Sequence, residues 1–429
     1  MEGNNQNFGA GVDPQAIANP AVEAHVAPVS YADSQSQQVH DFVYDENRRT
    51  LKPEDMGPIQ ELLKDDSVSD ILINAADNIF IEVGGKLQKT DLKFEGEKQV
   101  WELAQKIAKN VGRFLDRDRP YLDARLDDGS RVNIIAPPLS LDGTSISIRK
   151  FPDAVTKLED LVKYGSMSPD IAKFLAICGR SKINMLIVGG TGAGKTTLLN
   201  AIAQHIAPSD RVITIEDAAE LRLPIEHKVR LESKPHIHGT PDYTEVTIRD
   251  LVINALRMRP DRIIIGETRG AEAFDMIQAM NTGHEGSMTT IHANSPRDAL
   301  MRIENMVTVA VPTLPTLSIK QRVASAIELI VMVARMDDGS RRVTHVTEIT
   351  GMEGSTIISQ DLFKFKETGR GEDGKILGNY EKAQIMPRFN IKCFKFGFKD
   401  AMTDIFNRDL IAQAAQNPMG TGANGFGKK

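Results

Sequence analysis

Two textures of hydrophobic and polar positions divide the chain. From Pro53 to Arg149, short apolar runs alternate with turn residues. Residues 57–63 read as one short helix, and 71–73 and 79–83 as strands, the second closed by Gly84-Gly85. Between Gly96 and Leu115 the apolar positions change to helical spacing, at Val100, Leu103, Ala104, Ile107 and Val111. This predicts a helix whose one apolar face covers those strands. Runs at 121–126 and 131–135 flank the turn signal Asp127-Asp128-Gly129, and 145–149 gives one more strand after the Pro137-Pro138 break. Together they predict a small α/β unit.

The second texture begins where Ser168 and Pro169 open a helix through about Ile177. Apolar strand-like runs follow at 185–188, 211–215, 263–265 and 287–291, separated by helical patterns at 198–206 and 247–258. Two helical segments from Arg297 to about Ile327 lead into 329–336, 341–349 and 356–365, which alternate like a meander around Asp337-Asp338-Gly339 and a Gly351 to Gly354 turn. The expected organisation is a disordered tail over 1–48, an N-terminal α/β domain over 49–149, an interdomain linker over 150–165, a second domain over 166–395 and a frayed C-terminal tail over 396–429. The linker is placed by weak periodicity and Pro152, and the first tail by a composition without Lys or Arg before Arg48.

Composition narrows the classes. The chain has 429 residues, consistent with two or three domains, and a formal net charge of -6, which gives no global basic excess for nucleic acid. The longest uninterrupted apolar run, 329–334, is far short of the roughly 18 to 20 residues of a membrane span, and no signal-peptide pattern opens the chain, so a cytoplasmic location is expected. Cys178 and Cys393 stand alone, which predicts two reduced, buried thiols rather than a disulfide framework or thiolate zinc site.

The candidate chemistry is concentrated where strands end. Gly189-Gly190-Thr191-Gly192-Ala193-Gly194-Lys195-Thr196-Thr197, between a strand and a helix, fits a P-loop. Its glycines let backbone N–H groups curl around phosphate oxygens, Lys195 would reach the β- and γ-phosphates, and Thr196 would hold Mg²⁺. Strand 211–215 empties into Glu216-Asp217-Ala218-Ala219-Glu220, carboxylates at the carboxyl end of a strand beside the phosphate loop. Ile263-Ile264-Ile265-Gly266-Glu267 reads as a Walker B strand, whose acid faces the Mg²⁺ shell and the attacking water. His292, at the end of a short strand among Gly and Asn residues, is a candidate γ-phosphate or intersubunit sensor. Residues 224–244 read as mostly irregular, and His227, His236 and His238 there have no carboxylate or thiolate at ligand spacing, so they read as solvated loop histidines.

These four motifs in this order resemble the type II/type IV secretion ATPase superfamily. Residues 123–131, 256–263 and 292–299 are most similar to the tight-adherence (Tad) pilus ATPases, and the resemblance runs from about Gly57 to about Phe389. It implies an α/β fold with a RecA-like P-loop NTPase domain preceded by a smaller α/β N-terminal domain. It also implies ATP and Mg²⁺ as ligands, and a homo-hexamer at the cytoplasmic face of the bacterial inner membrane. The ring would be attached peripherally through inner-membrane pilus platform proteins, drive pilus assembly or also retraction, and make no direct nucleic-acid contact. Position by position, Gly190 to Thr197 correspond to the phosphate loop, Thr196 and Glu267 to the metal-binding pair, Glu216 and Glu220 to the acidic box, and His284 and His292 to the His box. Arg125, Arg131 and Arg149 match N-terminal-domain arginines that reach nucleotide phosphates in relatives. Ile253 and Thr268 depart from the pattern, and the tetracysteine module of many type II secretion ATPases is absent from a sequence with two cysteines. The same motor chemistry would serve protein or DNA export or a nucleic-acid translocase. A small-molecule P-loop kinase is disfavoured by the α/β domain before the P-loop.

Overall fold

The computed structural model describes residues 56–111, 113–126, 128–150, 156–234 and 245–416, the last nine by main chain only. The expected tail over 1–48, His236, His238 and the Gly-rich end past 416 lie outside the described residues. Within them, a 3-10 turn (Gly57–Ile59) and α1 (Gln60–Lys64) precede β1 (Val68–Ala75), β2 (Asn78–Val83) and β3 (Lys86–Lys89). Then come α2 (Glu97–Asn110), β4 (Tyr121–Arg125), β5 (Arg131–Ile135) and β6 (Ser145–Arg149). The six strands form one sheet in the order β3-β2-β1-β6-β5-β4, antiparallel throughout. α2 lays Val100, Leu103, Ala104 and Ile107 against Ile71, Ile73, Ile134 and Ile146, as its apolar spacing predicts.

The second sheet has nine strands among the described residues, in the order β15-β14-β13-β12-β7-β11-β10-β8-β9. In chain order its elements begin with α3 (Leu158–Lys163), α4 (Pro169–Arg180), β7 (Met185–Val188), α5 (Lys195–Ala203), β8 (Val212–Glu216), β9 (Lys228–Glu232) and α6 (Ile248–Ala255). β10 (Arg262–Ile265), α7 (Glu272–Asn281), β11 (Met288–Ile291), α8 (Pro296–Ala310), α9 (Thr316–Ala326) and β12 (Leu329–Arg335) follow. β13 (Arg341–Glu353), β14 (Thr356–Arg370), β15 (Ile376–Lys382), α10 (Asn390–Lys395) and α11 (Lys399–Gln416) close the chain. β12, β7, β11, β10, β8 and β9 run parallel, and β13 to β15 extend the sheet antiparallel. Strands β7, β8, β10 and β11 are buried at every position, because helices cover both faces. α4, α5 and α11 share one core, and α6 to α9 the other.

Helix starts follow capping chemistry. The Ser168 hydroxyl accepts from the Ile171 amide at 3.3 Å ahead of Pro169, Ser295 does the same for Asp298 at 3.0 Å ahead of Pro296, and Thr247 with Asp250 forms a capping box.

The structure differs from the sequence expectation in three stretches. The expected linker contains α3, whose Leu158 is buried with Leu161 and Val162 packed beside it; six residues are too few turns to show a period. The irregular stretch contains β9, where Val229 and Leu231 alternate with Lys228, Arg230 and Glu232 as β9 pairs with β8. The expected C-terminal tail contains α11, which buries Met402, Ile405 and Phe406. Phe406 meets Phe174 edge-on at 5.4 Å and Phe363 at 5.6 Å between ring centroids, so the helix completes an aromatic cluster assembled from distant segments. Both cysteines are buried and unbridged. Phe406→Ala is expected to lower unfolding free energy by about 3–5 kcal/mol, read from denaturant midpoints at unchanged slope.

Candidate functional site

The parallel strands all end on one edge, and the phosphate-loop residues, the acidic loop and Glu267 gather there. β7 delivers the chain into the loop, where Gly192 and Gly194 take φ of +68° and +98°, a region that residues with a Cβ rarely adopt. α5 then begins at Lys195 and directs its first amides back toward the loop. The resulting cleft, about 520 Å³ in volume, lies between this edge and the first sheet. It is lined by Thr191, Gly192, Gly194, Lys195, Thr196, Thr197, Glu216, Glu220, Glu267, His292, Arg131 and Arg149. Gly190 contributes its carbonyl, which accepts from Lys195 Nζ at 3.0 Å, and Ala193 is buried behind the loop.

Lys195 is 7% exposed, and its ammonium stands 3.3 Å from Nε2 of His292. Burial lowers its pKa, with the Glu267 charge opposing and Arg269 adding to the effect. Burial and Lys195 together lower His292, so the imidazole is mainly neutral at neutral pH. Oε2 of Glu267 accepts from Arg269 at 2.7 Å. Burial opposes the Glu267 charge, but the hydrogen bond and charge of Arg269 outweigh it, and the carboxyl lies below its ordinary range. Oε1 of Glu267 is 2.9 Å from His292 Nε2, out of line for a hydrogen bond, so this buried oxygen has no donor among the described residues.

Glu216, the last residue of β8, is 3% exposed, and its Oε2 accepts from the amides of Glu220 (2.7 Å) and Leu221 (3.0 Å). Its Oε1 is buried without a donor, and burial pushes the carboxyl up to about 7 against those two bonds. Gly266 allows the close approach beside it, because a Cβ there would stand 3.0 Å from Glu216 Cγ and Glu216 would have to shift. The buried Oε1 of Glu267, without a donor, and the Thr196 hydroxyl in the same cleft are hard oxygens of the kind Mg²⁺ takes.

The N-terminal arginines separate. Arg131 pairs with Glu220 at 3.2 Å and Arg149 with Asp70 at 3.0 Å, both at the cleft. Arg125 is directed away from the cleft lining. It binds Glu232 at 2.9 Å and the Ala219 carbonyl, clasping β4 to the acidic loop. His284 sits at the opposite end of β11, its Nδ1 3.3 Å from the Ala279 carbonyl, so the two histidines of the sequence motif do not meet. His227 lies beside Arg211 at 2.6 Å, also away from the cleft.

Sequence reasoning missed Asp70, Glu82, Arg269, Arg335 and Arg341, all of which line the cleft. Arg269, two residues past Glu267, was within reach of the motif; the others arrive from strands whose neighbours only the sheet order reveals. Thr268, a departure from the resemblance, is buried and hydrogen-bonded to Thr289 Oγ1 of β11 at 2.8 Å, which gives its hydroxyl a partner. Six carboxylates (Asp70, Glu82, Glu216, Asp217, Glu220, Glu267) and six cations (Arg131, Arg149, Lys195, Arg269, Arg335, Arg341) line the cleft. With Glu216 holding its proton to about pH 7, the cations are not fully offset by the carboxylates, which suits an anionic ligand.

Sheet order and cleft together define a two-domain α/β protein with a RecA-like second domain. Comparison with known sequences goes further. The family described as "Type II/IV secretion system protein" matches residues 52–371, and the chain belongs to this family. A Mycobacterium tuberculosis protein whose name links it to conjugal transfer is 36% identical over 317 residues, covering 72% of this chain and 89% of that protein. Conjugal transfer protein TrbB of Rhizobium radiobacter is 33% identical over 310 residues, 71% of this chain and 91% of TrbB. The X-ray structure of the Yersinia pseudotuberculosis ATPase DotB is similar in fold, with a TM-score of 0.50 at 18% identity over 67% of this chain and 76% of DotB.

Glu216→Gln is expected to flatten the pH dependence of stability. In the wild type the buried, protonated acid favours the fold fully below its ordinary pKa of 4.5, and that advantage is lost as pH rises through about 7. Denaturant midpoints at pH 5 and pH 8 should therefore differ more for the wild type than for the variant.

Proposed function

We propose that the chain is the ATP-hydrolysing motor of a secretion or pilus-assembly machine. The observation that carries this reading is Lys195 on the phosphate loop facing a half-buried, ionised Glu267 across one cleft. The loop amides and Lys195 would bind the β- and γ-phosphates, and Thr196 and Glu267 would hold Mg²⁺. When bound, Mg²⁺ neutralises charge developing on the transferred phosphoryl group. Glu267, kept ionised by Arg269, would orient the attacking water through its buried Oε1. His292, neutral beside it, would sense the terminal phosphate. Arg131 and Arg149 would exchange Glu220 and Asp70 for phosphate oxygens, so that closure of the first sheet completes the site.

The finer reading is a Tad-type pilus motor: a homo-hexamer at the cytoplasmic face of the inner membrane, held there by platform proteins. Its support is the similarity of residues 123–131, 256–263 and 292–299 to Tad ATPases. No helix among the described residues is long and apolar enough to cross a membrane, which agrees with attachment through partners. A second reading, export of DNA or protein, is favoured by the conjugal-transfer names of the relatives. Deleting the gene and imaging surface pili, alongside a conjugation assay, separates the two: loss of pili with normal transfer supports the first, and the reverse supports the second.

Lys195→Ala is expected to abolish nearly all ATP hydrolysis with an unchanged melting curve; wild-type turnover would refute the P-loop assignment. Glu267→Gln should bind fluorescent nucleotide normally while hydrolysis slows by orders of magnitude. Normal hydrolysis in that variant would transfer the water-orienting role to Glu216.

A further inference from the structure

Among the arginines lining the cleft, Arg341 is the one whose guanidinium is hydrogen-bonded to the phosphate loop. Arg131, Arg149 and Arg269 are each ion-paired, to Glu220, Asp70 and Glu267. An incoming phosphate must displace those carboxylates. Arg335 lacks a carboxylate partner among the described residues, but its Nη2 donates to the Gly85 carbonyl of the β2–β3 turn, on the first sheet rather than on the phosphate loop. Arg341 has no carboxylate partner among the described residues. Its one hydrogen bond runs from Nε to the Gly192 carbonyl at 2.9 Å, on the phosphate loop itself. That bond leaves the four N–H groups of Nη1 and Nη2, the fork that suits phosphate oxygens.

The hairpin behind Arg341 is stiff enough to aim it. Asp338 accepts from the Ser340 amide (2.9 Å) and hydroxyl (2.6 Å) and from the Ile376 amide (2.7 Å), and Gly339 turns the chain at φ +83°. The next residue, Arg342, is directed to the other face of β13, where it donates to the Ile376 carbonyl at 2.8 Å and lies 4.9 Å over the Phe365 ring. Strand alternation therefore turns Arg341 toward the loop, with its Cδ 3.4 Å from where a Cβ on Gly194 would stand.

We propose that Arg341 is a phosphate ligand of the bound nucleotide, supplied by the RecA-like domain itself. It rests on the nucleotide reading above and adds to it a division of labour. Arg341 gives its charge on first binding, without breaking an ion pair, whereas Arg131 and Arg149 act on closure.

The test compares full-length wild type with Arg341→Ala, Arg341→Gln and Arg341→Lys, using fluorescent ATP binding and competition by inorganic pyrophosphate. Gln keeps a donor for the Gly192 carbonyl but loses the charge; Lys keeps the charge. Ala and Gln are expected to weaken affinity for both ligands by about 10- to 100-fold, the scale of a charged hydrogen bond, and Lys to recover most of it. The melting curve without ligand should be the same in all four proteins. Wild-type affinity in the Gln variant with a loss only in Ala would make Arg341 a brace for the loop and overturn the proposal. Wild-type affinity in all three variants would overturn it too. A wild-type protein that binds neither ATP nor pyrophosphate is a distinguishable result, and would overturn the nucleotide reading together with this one.

Discussion

Two carboxylates end adjacent parallel strands, and accommodating them shapes the cleft. β8 and β10 pair with Ile215 opposite Ile265, so Glu216 lies against Gly266 and Glu267 comes one residue later. Holding one buried and one half-buried acid on neighbouring strand ends is costly unless each is compensated, and the compensation differs. Glu267 is kept charged by Arg269, with Lys195 close by. Glu216 receives two amide hydrogen bonds and no cation at bonding distance among the described residues, so burial dominates and its proton is held to about pH 7. One edge thus presents an ionised and a protonatable carboxylate side by side, separated in pKa by their surroundings alone.

The compensation also ties the two sheets together. The loop that donates its amides to Glu216 is the loop whose Glu220 pairs with Arg131 of β5 and whose Ala219 carbonyl accepts from Arg125 of β4. Arg335 makes the reciprocal contact from β12 to the β2–β3 turn. A displacement of the first sheet is therefore felt at Glu216 through a few covalent bonds, with no long relay.

Much of this was legible in the sequence, because the decisive signals are local. A Gly-rich turn, an acid after an apolar strand and the Ser168-Pro169 helix start each act within a few residues. What escaped depends on partners far away in the chain. α3 is too short to show a period, β9 offers only two apolar positions at an edge of the sheet, and α11 is held by aromatic contacts to Phe174 and Phe363 that no window includes. The same distinction runs through the site. Glu267 and Lys195 carry their own motifs, whereas Arg341 matters only because β12 pairs beside β7 and brings the following hairpin over the loop. Arg125 shows the converse: similarity groups it with Arg131 and Arg149, and here its side chain is bonded to Glu232 and the Ala219 carbonyl rather than lining the cleft.

The opposite end of the same sheet clarifies why change belongs at this edge. There Arg262, fully buried, pairs with Asp210 at 2.7 Å and donates to the Gly179 carbonyl at 2.6 Å, and Lys182 stands 3.5 Å from the same aspartate. Removing either partner would strand a buried charge, a loss of about 3–5 kcal/mol, so that network stays intact in any working state of the fold. At the cleft, by contrast, the side chains of Arg131 and Arg149 are 40% and 64% exposed. Exposed pairs of that kind contribute roughly 0–1 kcal/mol each, less than a charged hydrogen bond to phosphate contributes. The sheet is therefore fixed at its amino edge and exchangeable at its carboxyl edge. An entering phosphate can rearrange the second without straining the first.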